Sequence, residues 1–384
     1  MTAVAIPILL MVVLVLAEMI ELNRSGRQQV DWHDVVFNLN SGHLMLWLFR
    51  GLEIAVYAFV LSHLSLDLAA SWPVWLVWLV AIIGWDFCFY WLHRLHHKFR
   101  LLWAVHVVHH EGEHFNLSLA IRNSWYSSLA SIPFFLPLAL IGVPLPVFIT
   151  VSVIHYGIQM MNHSALTPHL GWLERVLVTP AHHRIHHVAD RAYSDSNYAG
   201  SFVIWDHLFG TYRPDLPEGE FRYGVKEPTP SRNPAIASNS PFLRLFAPKW
   251  LRTRLQARPS TARQAQRSGP DFVSSGPAIL LATVGLFCLV TAYIWRYGYD
   301  YQGAGLTQAL IFTPLAMGAV ALGAISDGRA WGLYAWPGAC LALMLALVVT
   351  DAGPLWLAGA AGLGLHALAM ALGWGRKAVP AAPA

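Results

Sequence analysis

Fourteen of the nineteen histidines fall between His93 and His187, and they are grouped rather than scattered. The run W-L-H-R-L-H-H sets His93 and His97 in an HxxxH spacing, with His96 beside them. H-V-V-H-H supplies His106, His109 and His110, and H-H-R-I-H-H supplies His183, His186 and His187 as a second HxxHH preceded by His182. His163 stands between these groups in M-N-H-S. On a helix, residues three and four apart share a face, with Cβ atoms ~5–6 Å apart. HxxxH therefore aims two imidazoles the same way, and HxxHH aims three roughly the same way, the last two straddling the stripe. Neutral imidazole is a borderline ligand suited to iron, zinc, copper and nickel. Three groups plus His163 offer about nine nitrogens, more than one ion uses. Two metal ions sharing the cluster is the economical account. A lone histidine in an apolar segment is ordinarily a hydrogen-bonded core residue, and His43, His63 and His366 are read that way, as are His33 and His207. His96, His114, His155, His169 and His182 are read as supporting or surface residues rather than ligands.

The elements that must position these groups are membrane helices. Of 384 residues, 56% are hydrophobic and 12% charged, with a mean hydropathy of +0.46. A soluble domain carries roughly 25% charged residues, so much of this surface does not face water. Cys88, Cys288 and Cys340 lie in apolar stretches without a CxxC pair, which excludes a disulfide framework or thiolate zinc site. Spans of about 20 apolar residues are expected at Ala3–Ile20, read as a retained span, at His43–Leu61, and at Trp72–Trp91. Arg50 and Glu53 inside the second are expensive in lipid and must face protein. Residues 127–158 are apolar but broken by Pro133, Pro137, Pro144 and Pro146, which suits a re-entrant hairpin or two bent spans. Four further segments follow, Pro277–Ile294, Leu306–Ile325, Ala330–Val349 and Pro354–Leu372.

Between Arg222 and Arg267 stand ten Lys or Arg and one acid, Glu227. This stretch accounts for the pI near 9.0. Because it adjoins spans it reads as a cytoplasmic juxtamembrane linker and not as a nucleic-acid site. Four spans after it return the chain to the same side, where Arg376 and Lys377 close the last one. The expected architecture is an all-α, polytopic membrane helical bundle. It comprises a catalytic domain over residues 1–220, a basic linker over 221–275, and a C-terminal region of four transmembrane helices over 276–384. All histidine groups must lie on one side to meet, so the Pro-broken stretch must enter the membrane and return.

W-D-F-C-F-Y-W-L-H-R-L-H-H followed by W-A-V-H-V-V-H-H-E-G-E-H-F-N resembles the fatty acid hydroxylase or sterol desaturase superfamily. So do T-P-A-H-H-R-I-H-H, Y-S-D-S-N-Y-A-G and I-W-D-H-L-F-G-T-Y. Within it the chain is most similar to alkylglycerol monooxygenase-like members, which share the extra C-terminal spans. The resemblance covers residues 80–215 and, more loosely, the N-terminal spans. It implies a cytosol-facing di-iron centre whose ligands are His93, His97, His106, His109, His110, His183, His186 and His187, with His163 matching a further family histidine. One departure matters. Some relatives carry HxxxH where this chain has Gln159-Met160-Met161-Asn162-His163, so a ligand is either missing or replaced by Gln159. Acyl-lipid desaturases also carry three histidine boxes, but their first two are much farther apart than His97 and His106.

The implied reaction inserts one oxygen atom from O2 into a C–H bond of a lipid, by way of two iron ions for which zinc can substitute in purified protein. If the carbon is α to an ether oxygen, the product collapses and the ether is cleaved. Rival readings are a sterol, carotenoid or sphingolipid hydroxylase or desaturase of the same superfamily, and, in a different class, a histidine-rich metal transporter or sensor. Transport would place histidines along a path within spans rather than at their ends. The chain shows no haem-binding, flavin or nicotinamide module, and the G-L-G at Gly362–Gly364 lies inside an apolar span. Electrons are therefore expected from an external redox partner or a reduced pterin. Asp86, Asn116, Asp190, Asp195 and Asn197 are expected to orient imidazoles, and Arg122 to bind a polar head group or cofactor.

Overall fold

The computed structural model describes residues 2–226, 231–248, 269–297 and 305–379. The Lys249–Arg267 part of the expected basic linker lies outside the described residues. The chain is an all-α, polytopic membrane helical bundle. Among the described residues, six helices are long and apolar enough to cross a membrane. They are Trp32–His63, taken through a break at Gly42, then Val74–Lys98, Gly276–Tyr297, Gly305–Ser326, Gly332–Val349 and Pro354–Ala371. The second expected span thus starts earlier than its apolar core, because the Asp31 carboxylate caps the backbone N–H groups of His33 and Asp34. By contact the chain divides into two compact units, residues 10–30 with 45–228, and residues 1–9 with 31–44 and 229–384.

The helices in chain order are α1 (Thr2–Arg24), α2 (Trp32–Ser41), α3 (His43–His63), α4 (Val74–Lys98), α5 (Arg100–His110), α6 (Ser127–Leu140), α7 (Leu145–Met161) and the short α8 (Pro180–His186), α9 (Arg191–Ser194) and α10 (Ile204–Leu208). In the first unit, α4 packs against α6 and α7. Tyr57, Trp85, Phe135 and Phe148 fill this core, with Trp85 stacked on Phe135 at 4.0 Å and Tyr57 on Phe148 at 3.8 Å. Gly84 permits the approach of α6, since a Cβ there would stand 2.8 Å from Leu138 Cδ2. Arg50 and Glu53 do face protein. They pair with each other, and Arg50 also donates to Ser152 Oγ at 2.6 Å.

The Pro-broken stretch forms the two helices α6 and α7, of 14 and 17 residues, joined by a tight turn with Gly142 at φ +93°. At 1.5 Å per residue, each falls short of the ~30 Å hydrocarbon core. The turn is tied to the loop before α4, where Leu66 and Ala69 N–H donate to Leu140 and Ile141 carbonyls. The hairpin tip therefore sits at the end of α4 opposite its histidines, and the open end of the hairpin lies with them. Both ends of the hairpin thus return to the histidine end of α4, as the histidine spacing requires.

In the second unit, α11 (Pro234–Phe246) lies within the stretch read as linker, capped by Asn233. The spans α12 (Gly276–Tyr297), α13 (Gly305–Ser326), α14 (Gly332–Val349) and α15 (Pro354–Ala371) follow. The short α2 packs on both α12 and α13, with Asn40 Nδ2 donating to the Ala319 carbonyl of α13 at 2.7 Å. Two-residue strands β1 (Val273–Ser274) and β2 (Arg376–Lys377) pair antiparallel, so the two basic residues expected merely to close the last span also tether it.

Candidate metal centre

The break at Phe99, extended at φ −101° and ψ 123°, folds α5 back on α4. His93 and His97 on α4 then face His106 and His110 on α5. Thr179 starts α8 with a capping box in which the His182 ring accepts from the Thr179 N–H, and α8 brings in His183, His186 and His187. His163 arrives just beyond α7. The nine histidines form two groups, His93, His97, His106, His110 and His186, and His109, His163, His183 and His187. Within each group the donor atoms all lie within 4.8 Å of one another.

Neighbouring residues on a helix are turned by about 100°, so the two HxxHH runs are divided between the groups rather than aimed together. The His109 and His110 rings are at 90°, and those of His186 and His187 at 88°. α5 gives its i,i+4 pair, His106 and His110, to the first group and His109 to the second. α8 does the reverse, giving His183 and His187 to the second and His186 to the first. α4 adds the pair His93 and His97 to the first group. The matching pair for the second would be residues 159 and 163, but position 159 is Gln. Gln159 Nε2 donates instead to the Gly200 carbonyl at 2.5 Å, and its own carbonyl accepts from His163 Nδ1 at 2.8 Å.

The ring nitrogens show what the groups fit. A carbonyl only accepts, so its partner nitrogen must carry the proton and the other ring nitrogen is a bare lone pair when the ring is neutral. His93 donates from Nδ1 to the Tyr198 carbonyl at 2.9 Å, His109 to Arg122 at 3.0 Å and His186 to Ser196 at 2.7 Å. His109 and His163 consequently turn bare Nε2 atoms toward each other at 3.2 Å. Two facing lone pairs repel unless a proton or a cation lies between them. A proton is disfavoured, because burial brings His109 down to about 4 and holds His163 well below the ordinary imidazole value. Burial, reinforced by neighbouring imidazoles, does the same to His106, His110, His183, His186 and His187.

Other Nε2 pairs recur at ion-sharing distances. His97–His110, His110–His106 and His186–His110 are at 3.1, 3.2 and 3.1 Å, and His183–His163 and His187–His183 at 3.0 and 3.1 Å. Imidazoles holding one ion at about 2.1 Å place adjacent donors about 3 Å apart. The donor set therefore fits two divalent transition-metal ions, one per group.

The expected orienting residues have other partners, and most of the orientation comes from the backbone carbonyls of Tyr198, Arg122, Ser196 and Gln159. Asp86 accepts from Ser201 N, Phe202 N and Trp205 Nε1 at 2.7, 3.0 and 2.9 Å, clasping the segment before α10. Asn116 caps the turn at Ser118, and Asp190 caps α9 from an exposed position. Asn197, at φ +52°, binds the carbonyls of His182 and Arg213. Arg122 is buried, with Nε on the Val108 carbonyl at 2.6 Å and its guanidinium 3.7 Å from Glu111. Asp195 does approach a cluster histidine, standing 3.6 Å from His97 Nδ1. The His97 ring, with Lys98 at 3.0 Å, holds its carboxyl well below the usual range.

Sequence reasoning missed two residues. Tyr198 is fully buried with its ring against His93, His97 and His186. Glu18 on α1 is 4% exposed and accepts from Leu117 N at 2.6 Å, Ser164 Oγ at 2.7 Å and Ala165 N at 2.9 Å. It ties together the two loops that follow His110 and His163. An acid inside the expected apolar span Ala3–Ile20 was the available signal. His96 and His182 are buried outside both groups, held by the Leu92 carbonyl and by Thr179.

Residues 78–211 match the fatty acid hydroxylase family model. The chain is 36% identical to the alkylglycerol monooxygenase of Danio rerio over 202 residues, 51% of this chain and 44% of that protein. It is also 36% identical to the Homo sapiens alkylglycerol monooxygenase over 180 residues, 47% of this chain and 40% of that one. With an ornithine lipid hydroxylase of Rhizobium tropici it shares 32% identity over 143 residues, 37% and 43% of the two chains. The chain thus spans less than half the length of the curated relatives it matches. No solved structure matches it.

Proposed function

We propose, from the premise that residues 78–211 are a fatty acid hydroxylase domain, that this membrane protein is a di-iron monooxygenase that hydroxylates a C–H bond of a lipid. The observation that carries the reading is the pair of buried imidazole groups, in which His93, His109, His163 and His186 hold Nε2 bare. When bound, iron supplies the O2-dependent redox chemistry that a saturated C–H bond demands, whereas zinc would occupy the same nitrogens without it. The balance is one O2, two electrons and two protons per lipid, giving the alcohol and water. The electrons come from an external redox protein or a reduced pterin.

The chain's own part is to hold and shield. The carbonyls of Tyr198, Arg122, Ser196 and Gln159 fix four rings in the Nδ1–H tautomer, so that Nε2 is presented as the donor. Phe115 and Tyr198 cover opposite groups, Phe115 lying 5.7 Å from the His163 ring and Tyr198 5.6 Å from His93. They exclude water from the reacting space. His93, His97, His106, His110 and His186 would hold one ion, and His109, His163, His183 and His187 the other. We place the centre on the cytoplasmic side, supported by Arg94, Lys98 and Arg100 crowding the histidine end of α4. Hydroxylation beside an ether oxygen would yield a hemiacetal that collapses and cleaves the ether, the outcome in keeping with the alkylglycerol monooxygenase relatives.

The test joins metal analysis to lipid mass spectrometry. Purified protein should carry two ions, one per group. Cells expressing it should gain an oxidised or cleaved lipid that is absent with His106→Ala. An unchanged lipidome, or metal flux across vesicles without O2 uptake, would remove the oxygenase reading.

A further inference from the structure

Two short elements near the centre expose large apolar side chains that the protein core does not use. The single turn Gly171–Arg175 carries Trp172, 70% exposed, and Val176 just beyond it is 50% exposed. On α10, Ile204 and Leu208 are 59% and 65% exposed and, being four apart, share one face. The two elements are zipped together, since Val178 N–H donates to the Ser201 carbonyl and Val203 N–H to the Val176 carbonyl, at 2.9 and 3.1 Å. A polar rim lies beside them, with Arg175 and His207 exposed and His169 paired to Glu174.

What covers this face follows from where it is fixed. The Asp86 clasp fastens Ser201, Phe202 and Trp205 to α4, and Trp205 packs edge-on against Phe87 at 5.1 Å. Phe87 ends a stripe of exposed apolar residues on α4 that includes Trp75, Leu79 and Ile83, spaced at helical intervals on a membrane-spanning helix. Phe87 lies six positions before His93, which is about 9 Å along the helix axis. The exposed face is thus continuous with the lipid-facing stripe and lies near the level where the span gives way to the histidine centre.

We propose that the Trp172–Val176 turn and α10 form a wedge immersed in the headgroup–acyl boundary of the same bilayer leaflet. Arg175 would reach outward to lipid phosphates while Trp172, Ile204 and Leu208 sit among acyl chains, the arrangement that stabilises interfacial elements. This placement is independent of the chemistry proposed above. Its catalytic consequence, a portal for lipid beside the centre, does rest on the lipid-oxidation reading.

Spin labelling in bilayer nanodiscs separates the two. In a Cys288→Ala background, which removes the exposed native thiol, nitroxides are placed by Leu208→Cys and Trp172→Cys. His169→Cys serves as a water-facing reference and Ile83→Cys as a lipid-facing one. The expected result is relaxation by dissolved O2 outweighing that by a water-soluble nickel chelate, several-fold more than at His169 and close to the ratio at Ile83. A nickel-dominated response would overturn the proposal by placing the face in water. Inaccessibility to both reagents would overturn it in favour of a protein cover, including a second copy of this chain. The measurement needs no metal and no substrate. If the labels report lipid but Leu208→Glu leaves the KM for a lipid substrate unchanged, the wedge stands and the portal fails.

Discussion

Gln159 stands where the internal symmetry of the centre calls for another imidazole. The first group receives i,i+4 pairs from α4 and α5 and a single histidine from α8, five donors in all. The second receives a pair from α8 and single histidines from α5 and from the end of α7, four in all. The shortfall falls on the i−4 partner of His163. Gln159 Nε2 donates to the Gly200 carbonyl, and Gln159 offers no imidazole nitrogen in place of the missing donor. Gln159→His should restore it, and the second ion should then resist a competing chelator roughly tenfold better, an effect of about 1.4 kcal/mol. Unchanged chelator competition in a folded variant would show that position 159 does not face the second group. The spacing of histidines made the ligand candidates legible from sequence. Their division between two groups was also implicit in it, since residues one apart on a helix cannot address one ion in the way residues four apart can. The tautomer-fixing partners were not legible, because backbone carbonyls are chemically alike at every position and only the fold selects Tyr198 and Ser196.

At the scale of elements, carboxylates set the centre's loops without entering either imidazole group. Asp86 satisfies two backbone N–H groups and an indole, Asp206 takes the N–H groups of Tyr198 and Ala199 at 2.8 and 3.0 Å, and Glu18 joins the loops at Leu117 and Ser164. Each is buried, so removing the carboxylate orphans donors that water cannot reach, at about 1–3 kcal/mol apiece. Asp86→Leu should therefore lower the thermal unfolding midpoint more than Glu18→Gln, whose amide oxygen can still accept one of the bonds. Because the Tyr198 carbonyl that orients His93 lies in the segment Asp86 and Asp206 hold, Asp86→Leu should also weaken metal retention. A variant that loses stability but keeps both ions at wild-type affinity would confine Asp86 to packing. The sequence pointed to Asp86 by its nearness to the first histidine box, but nearness along α4 is not nearness in space. Asp86 lies seven positions before His93, almost two turns away, and meets α10 instead. The hairpin of α6 and α7 was legible for the opposite reason, since its prolines and the need for one-sided histidines both demanded a return.

Across the whole molecule, concentrating so many buried imidazoles in one place links folding to pH. Outside the spans, His106, His109, His110, His163, His183, His186 and His187 are all held below the ordinary imidazole value by burial. In the unfolded chain each would titrate near 6.5. Between that value and the folded one, the unfolded state binds more protons than the native state, so stability rises with pH through this window and falls on acidification. Above about pH 7 both states are neutral and the dependence vanishes. Each such histidine contributes at most about 1.4 kcal/mol per pH unit, and several acting together make the fall steep. Bound metal ions would sharpen the same trend, since they would compete with protons for the ring nitrogens and be released as those nitrogens charge. The unfolding midpoint of metal-free protein in detergent should be level from pH 8 to about 7 and then drop progressively toward pH 5, with ions leaving the loaded protein over the same interval. His109→Gln should make the drop shallower by removing one of the linked protons. A midpoint that stays level to pH 5 would mean that the imidazoles charge freely in the folded protein, which burial among one another and facing lone pairs does not allow.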